Sequence, residues 1–172
     1  KQLFSTNTES YLKFLLWYSM GQALLIAKDA NAAEGFFKKA LEIATTDLER
    51  AQALASLGYA DRDRGRYDAA VRRYDDSLAT LGFKRPGSRL GKIQTFLMET
   101  LRSLLSKPNV RDKEPDPQAT ALLRIRSQVL YELALVEMEK DVFGFVQCYS
   151  SDCLTRCRIG AAETELLGFA SM

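Results

Sequence analysis

Apolar residues recur along this chain at three- and four-residue intervals, and the recurrence is itself repeated. Between Leu54 and Leu81, the residues Leu54, Leu57 and Gly58 share one face of a predicted helix. Tyr67, Ala70, Val71, Tyr74 and Leu78 share one face of a second, with Gly65 as the terminator between them. The short polar turn makes the two helices antiparallel. Such a pair leaves an apolar face that only a neighbouring pair can cover. Upstream, Trp17, Met20, Gly21, Leu24, Ala33, Phe37, Ala40 and Leu41 stand in the register of Leu54, Leu57, Gly58, Asp61, Ala70, Tyr74, Ser77 and Leu78, each 37 residues earlier. A mid-helix glycine costs about 1 kcal/mol against alanine. Its return in register at Gly21 and Gly58 implies another helix packed closely on the backbone.

A third copy comes after a gap, with Leu130, Leu133, Ala134, Val146, Ser150, Cys153 and Leu154 at the same offsets. The segments WYSMGQAL with AAEGFFKKAL, and LASLGYAD with DAAVRRYDDSL, resemble the tetratricopeptide repeat (TPR), whose unit of about 34 residues reads W-x2-L-G-x2-Y, then alanine, then an aromatic. Asp61 and Glu137 stand where that pattern has tyrosine, and the closing proline is missing. The resemblance implies an all-α, TPR-like α-solenoid of stacked antiparallel helix pairs, about seven or eight helices in all. The expected layout is a single domain over 1–172: a repeat at 14–47, a second at 51–84, a long helix at 88–106, a linker at 107–117, a weaker repeat at 127–160 and a truncated helix at 161–172.

Along the chain, Thr8 or Ser10 is expected to cap the helix carrying Tyr11 to Ile26, which is apolar on more than one face. Turns are expected at Asp29 to Asn31 and Thr45 to Asp47. Pro86 and Gly87 break the chain, Ser88 can cap the next helix, and Leu90, Ile93, Leu97, Leu101 and Leu104 form a periodic stripe along it. Leu81-Gly82, the Pro86 turn and this long helix resemble the repeat region of bacterial multidomain proteins that join an ATPase to a nucleotidyl cyclase or transcriptional-regulator module. That implies a fragment of a larger signalling protein. Pro108 to Pro117 reads as an exposed linker, and Gly160 as the end of the helix beginning at Val142.

Composition narrows the chemistry. The 172 residues carry 24 basic and 22 acidic side chains and no histidine. The balance argues against nucleic-acid binding, and the lack of histidine removes the commonest general base and metal ligand. No apolar run reaches bilayer-spanning length. Lys1 in place of methionine, with no signal-peptide pattern, reads as a piece cut from a longer chain.

Cys148, Cys153 and Cys157 lack the spacing of a zinc site and read as structural, reduced thiols of a cytoplasmic protein, with Cys153 in the repeat's small buried position. Asp61, Asp63, Asp68, Asp75 and Asp76 interleave with five arginines and read as a solvated, self-neutralising face. The interval from Gly82 to Gly91 lacks phosphate-loop spacing. Neither a catalytic constellation, a metal site nor a cofactor is expected.

The resemblance places function on the concave face formed by the first helices of each pair. Its inward positions fall on Tyr18, Gln22, Leu25, Gln52, Tyr59, Arg62, Asp63, Tyr131, Met138 and Glu139, a set with the tyrosine, arginine and methionine types that anchor partners. The Lys/Asn set of chaperone-binding members is missing from these positions. The expected role is a non-catalytic scaffold for a protein, a peptide or another domain of the parent chain. The alternative is a homo-oligomer formed through the apolar terminal helices.

Overall fold

The computed structural model describes residues 2–105, 117–138 and 141–159, and every regular element among them is an α-helix. The order is α1 (Gln2–Ile26), α2 (Ala30–Ile43), α3 (Asp47–Asp63), α4 (Tyr67–Thr80), α5 (Arg89–Leu105), α6 (Pro117–Glu137) and α7 (Val142–Ile159). The expected all-α helical-repeat fold is the one adopted. The chain forms two compact units that divide between Lys84 and Arg85. Except for Pro117 at the head of α6, the proline-rich linker lies outside the described residues, as do Gly160 and the truncated helix expected at 161–172.

In the first unit α1 packs on α2, α2 on α3 and α3 on α4. Thr8 and Ser10, expected as caps, lie inside α1, which begins at Gln2. Neither proline nor glycine separates the polar lead from the apolar run, so nothing stops the helix there. α1 and α3 end alike. Asp29 N–H donates to the Leu24 carbonyl at 2.9 Å and Lys28 N–H to Leu25 at 3.0 Å; Arg66 N–H donates to Asp61 and Gly65 N–H to Arg62, both at 2.8 Å. Each closure puts one residue in the left-handed region, Lys28 at φ 63° and Gly65 at φ 71°. The 37-residue register therefore holds in the turns as well as in the helices.

Asp29 then caps α2 through Ala32 N–H at 3.0 Å. At the next joint Thr46 and Glu49 form a capping box, with Glu49 Oε2 also accepting from Thr45 N–H at 2.7 Å and Thr45 Oγ1 at 3.1 Å.

The core repeats with the sequence. Phe37 and Tyr74 are almost fully buried, each over the glycine of its own pair. Phe37 joins Leu25, Ala30, Ala33, Leu57 and Ala60 in one cluster, and Phe14, Ala40, Ala44 and Ala53 form another. Ser77 is buried with its hydroxyl donating to the Ala51 carbonyl at 2.9 Å.

In the second unit α6 packs on α7, and α5 lies against α7. Ser88 caps α5, its Oγ accepting from Gly91 N–H at 3.1 Å. On α6 the expected register holds, since Leu130, Leu133 and Ala134 are buried. On α7 it does not. Val146, Ser150 and Leu154 are half-buried and Cys153 is exposed, while Gly144, Cys148, Ser151 and Asp152 are buried. These four stand 74 residues after Ala70, Tyr74, Ser77 and Leu78, two fewer than the offset that fits α6. The reason lies in the turn: α6 stops at Glu137, the counterpart of Asp61, whereas α3 runs on to Asp63. Cys148, not Ser150, takes the aromatic's place, and Ser151, not Cys153, the small buried one; the smaller side chain at 148 goes with Ala134 in place of glycine.

Candidate functional site

On the first unit, residues from α1 and α3 meet along one face. Gln22 Nε2 donates to Ser56 Oγ at 3.0 Å, and Ser56 Oγ donates to the Tyr18 hydroxyl at 3.4 Å. Tyr18 is half-buried, stacked on Phe14 with ring centroids 5.6 Å apart and tilted on Phe37 at 5.8 Å. One turn beyond Ser56 on α3, the Arg62 guanidinium lies over the Tyr59 ring, 4.7 Å from its centroid.

Of the positions expected to bind a partner, Tyr18, Gln22, Gln52, Tyr59 and Arg62 are half-buried and Asp63 is exposed. Leu25 is buried in the core instead, because it closes over Phe37 and Leu57. Tyr131 is half-buried and Met138 exposed in the second unit, and Glu139 lies outside the described residues. Ser56, which joins Gln22 to Tyr18, is absent from the expected set. Its signal in the sequence is a hydroxyl on α3 two residues after Leu54, on the side facing α1.

About 200° round α3 from Tyr59, at 100° per residue, sits Asp61. It was expected on a solvated face and is instead 5% exposed. Its carboxylate pairs with Arg66 and lies 3.8 Å from Arg64 and 4.0 Å from Arg73. Glu34 of α2 completes the network, 2.5 Å from Arg64, 3.1 Å from Arg66 and 2.7 Å from Lys38. The Lys38 hydrogen bond, reinforced by Arg64 and Arg66 against the opposing pull of burial, holds the Glu34 carboxyl down at about 2. Hydrogen bonds to Asp61 first and to Glu34 second raise the Arg66 guanidinium further. Three helices are thus tied by charge where a TPR tyrosine would have filled the space with a ring.

Glu137 repeats the arrangement in the second unit. It is buried and paired with Arg85 at 2.6 Å, with Lys92 at 3.7 Å, and Lys92 reaches Asp141 at 2.9 Å. A Cβ on Gly144 would come within 2.6 Å of Glu137 Oε2, so the carboxylate occupies the space left by the missing side chain. Arg85 also points to the Cys148 thiol at 3.7 Å, and burial, outweighing that cation, pushes the thiol up to about 11. A thiol so held is protonated at neutral pH and a poor nucleophile. Among the described residues no cluster of three or more His, Cys, Asp and Glu side chains could hold a metal ion, and no helix is long and apolar enough to cross a membrane.

A helix-turn-helix array whose glycines admit the aromatic of the paired helix defines a class of repeat protein. Residues 13–81 match the tetratricopeptide repeat family. No curated protein and no solved structure matches the chain. TPRs generally mediate protein–protein interaction and are typically non-catalytic scaffolds.

Proposed function

We propose that the chain is a non-catalytic interaction module of a larger signalling or regulatory protein in the cytoplasm. Its α1/α3 face receives an extended or helical segment from a protein partner or from another domain of the parent chain. The observation that carries this reading is the face itself. Tyr18, Gln22, Gln52, Tyr59 and Arg62 are half-buried, so each is held in place by its own fold yet keeps surface to offer. Aromatic side chains lose little entropy on binding, Arg62 is already laid over the Tyr59 ring, and half-buried glutamine amides can hydrogen-bond a bound backbone. Tyr131, Met138 and Glu139 would extend the same role to the third repeat.

The test is affinity capture with the wild-type chain, Tyr59→Ala and Arg62→Glu in parallel, followed by mass spectrometry. Proteins retained by the wild type and lost by both variants, at unchanged thermal stability, support the reading. Equal recovery by all three overturns it.

The exposed stripe Leu12, Leu16 and Met20 on α1, at 59%, 56% and 41% exposure, favours a second reading in which two copies pair through α1. Light scattering over a concentration series decides it: a mass that stays at one chain removes the pairing, and a dimer abolished by Leu16→Glu supports it.

A further inference from the structure

The exposed side of α1 stands in register with a side of α3 that the fold covers. Glu49, Ala53, Ser56, Leu57 and Ala60 follow Leu12, Leu16, Ser19, Met20 and Ala23 by 37 residues, and all five are buried. α2 covers Ala53, Leu57 and Ala60 with Ala33, Phe37, Ala40 and Ala44. On α1 the same five positions are exposed. They centre about 170° round the helix from the buried Phe14, at 100° per residue. The repeat thus marks this side of α1 as one shaped to receive a helix, and among the described residues no helix lies on it.

We infer that the helix it receives is α1 of a second copy, laid antiparallel. This rests on the second reading above, pairing through α1, and gives that pairing a register. Leu12, Leu16, Ser19 and Ala23 follow one another at intervals of four, three and four residues, the seam of two helices wound together. A two-fold axis level with Trp17 and Tyr18 sets Leu12 on Ala23 of the second copy and Leu16 on its Ser19, and the same contacts recur in reverse. Every layer then opposes a large side chain to a small one, which is how facing layers interdigitate. A parallel pair stacks leucine on leucine at two layers and leaves Ser19 and Ala23 each facing its own small copy, with voids between. From Leu12 to Ala23 the one charged side chain is Lys13, which Glu9 pairs at 2.6 Å, so no like charges meet across the seam. One helix face is a small interface, and the dimer forms and dissociates with concentration. The two-fold turns the Tyr18 and Gln22 edges of both helices to one side, so a partner with two binding segments gains by engaging both α1/α3 faces.

Sedimentation of the full chain over a concentration series, joined to oxidative cross-linking, tests this. Leu12→Cys and Ala23→Cys are made separately in a Cys153→Ser/Cys157→Ser background; both sites are exposed, so thermal stability should not change. The mass should rise from one chain toward two, and the two variants mixed should give a disulfide-linked dimer with one chain of each. Neither variant alone should cross-link, because two copies of either position stand about 16 Å apart along the antiparallel pair, beyond disulfide reach. A mass that stays at one chain overturns pairing and register together. Cross-linking by either variant alone keeps the pairing through α1 and overturns the antiparallel register. A dimer that neither the mixture nor a single variant cross-links is joined elsewhere on the chain and overturns both.

Discussion

The Tyr74 ring lies where a Cβ on Gly58 would be: the added atom would stand 2.7 Å from Tyr74 Cε1. Gly21 and Phe37 repeat the relationship at 2.6 Å. Helix propensity alone predicts that Gly58→Ala stabilises α3 by about 1 kcal/mol. The buried ring reverses the sign, because overpacking a filled core costs about 1–3 kcal/mol. Gly58→Ala should therefore unfold at lower denaturant than wild type. Pairing it with Tyr74→Leu should cost less than the two single changes summed, and a double-mutant cycle by denaturant melts measures the difference.

Lys28 holds the left-handed turn that Gly65 holds one repeat later. For a residue with a side chain that conformation costs about 1–2 kcal/mol, part of which glycine gives back through its greater freedom when unfolded. Lys28→Gly should raise stability by about 0.5–1 kcal/mol, while Gly65→Lys should lower it. Thermal melts of both variants check the pair, and a destabilised Lys28→Gly would contradict the assignment of the strain.

Glu34 titrates at about 2 in the fold against an ordinary 4.5. A depressed carboxylate contributes its full share of stability above about pH 4.5 and loses it as the pH falls through about 2. Glu34→Gln should lower stability at neutral pH by about 1 kcal/mol, the scale of a well-connected surface network. The gap between variant and wild type should close between pH 4.5 and 2. Denaturation measured across that range gives the answer.

Cys148 is buried beside Arg85 with its thiol pushed up to about 11, and Cys153 on the same helix is exposed. Iodoacetamide at about pH 8 should label Cys153 at least about tenfold faster than Cys148, because only a thiolate in reach of the reagent reacts. Site-resolved mass spectrometry of a labelling time course distinguishes them. Denaturant should equalise the two rates.

How far the sequence disclosed the structure depended on how local each signal is. The 37-residue register between Gly21 and Gly58 places α2 to α4 and the end of α1 to within a few residues, though not the start of α1, because glycine, alanine and aromatic positions leave one way for the helices to meet. Ser88 could be read as a cap from its place after a proline-glycine break. The α7 register could not, since it depends on where α6 ends, and neither proline nor glycine marks Glu137 as that end. Asp61 misled for a similar reason. Acids interleaved with arginines look alike whether solvated or enclosed, and only the arrival of Glu34 from α2 makes the difference. On the α1/α3 face the tyrosines and arginine were visible as residue types, whereas the Gln22–Ser56–Tyr18 chain required two helices to be set side by side.

The joint at Thr45, Thr46 and Glu49 has a mechanical meaning. One carboxylate grips both residues of the bend, so the short run 45–49 sets the direction in which α3 leaves α2 before the repeats touch, and the packing of Leu57 and Ala60 against Phe37 then holds it. Pulled from its ends, this pair of repeats should yield as one body, because bend and interface hold the same angle.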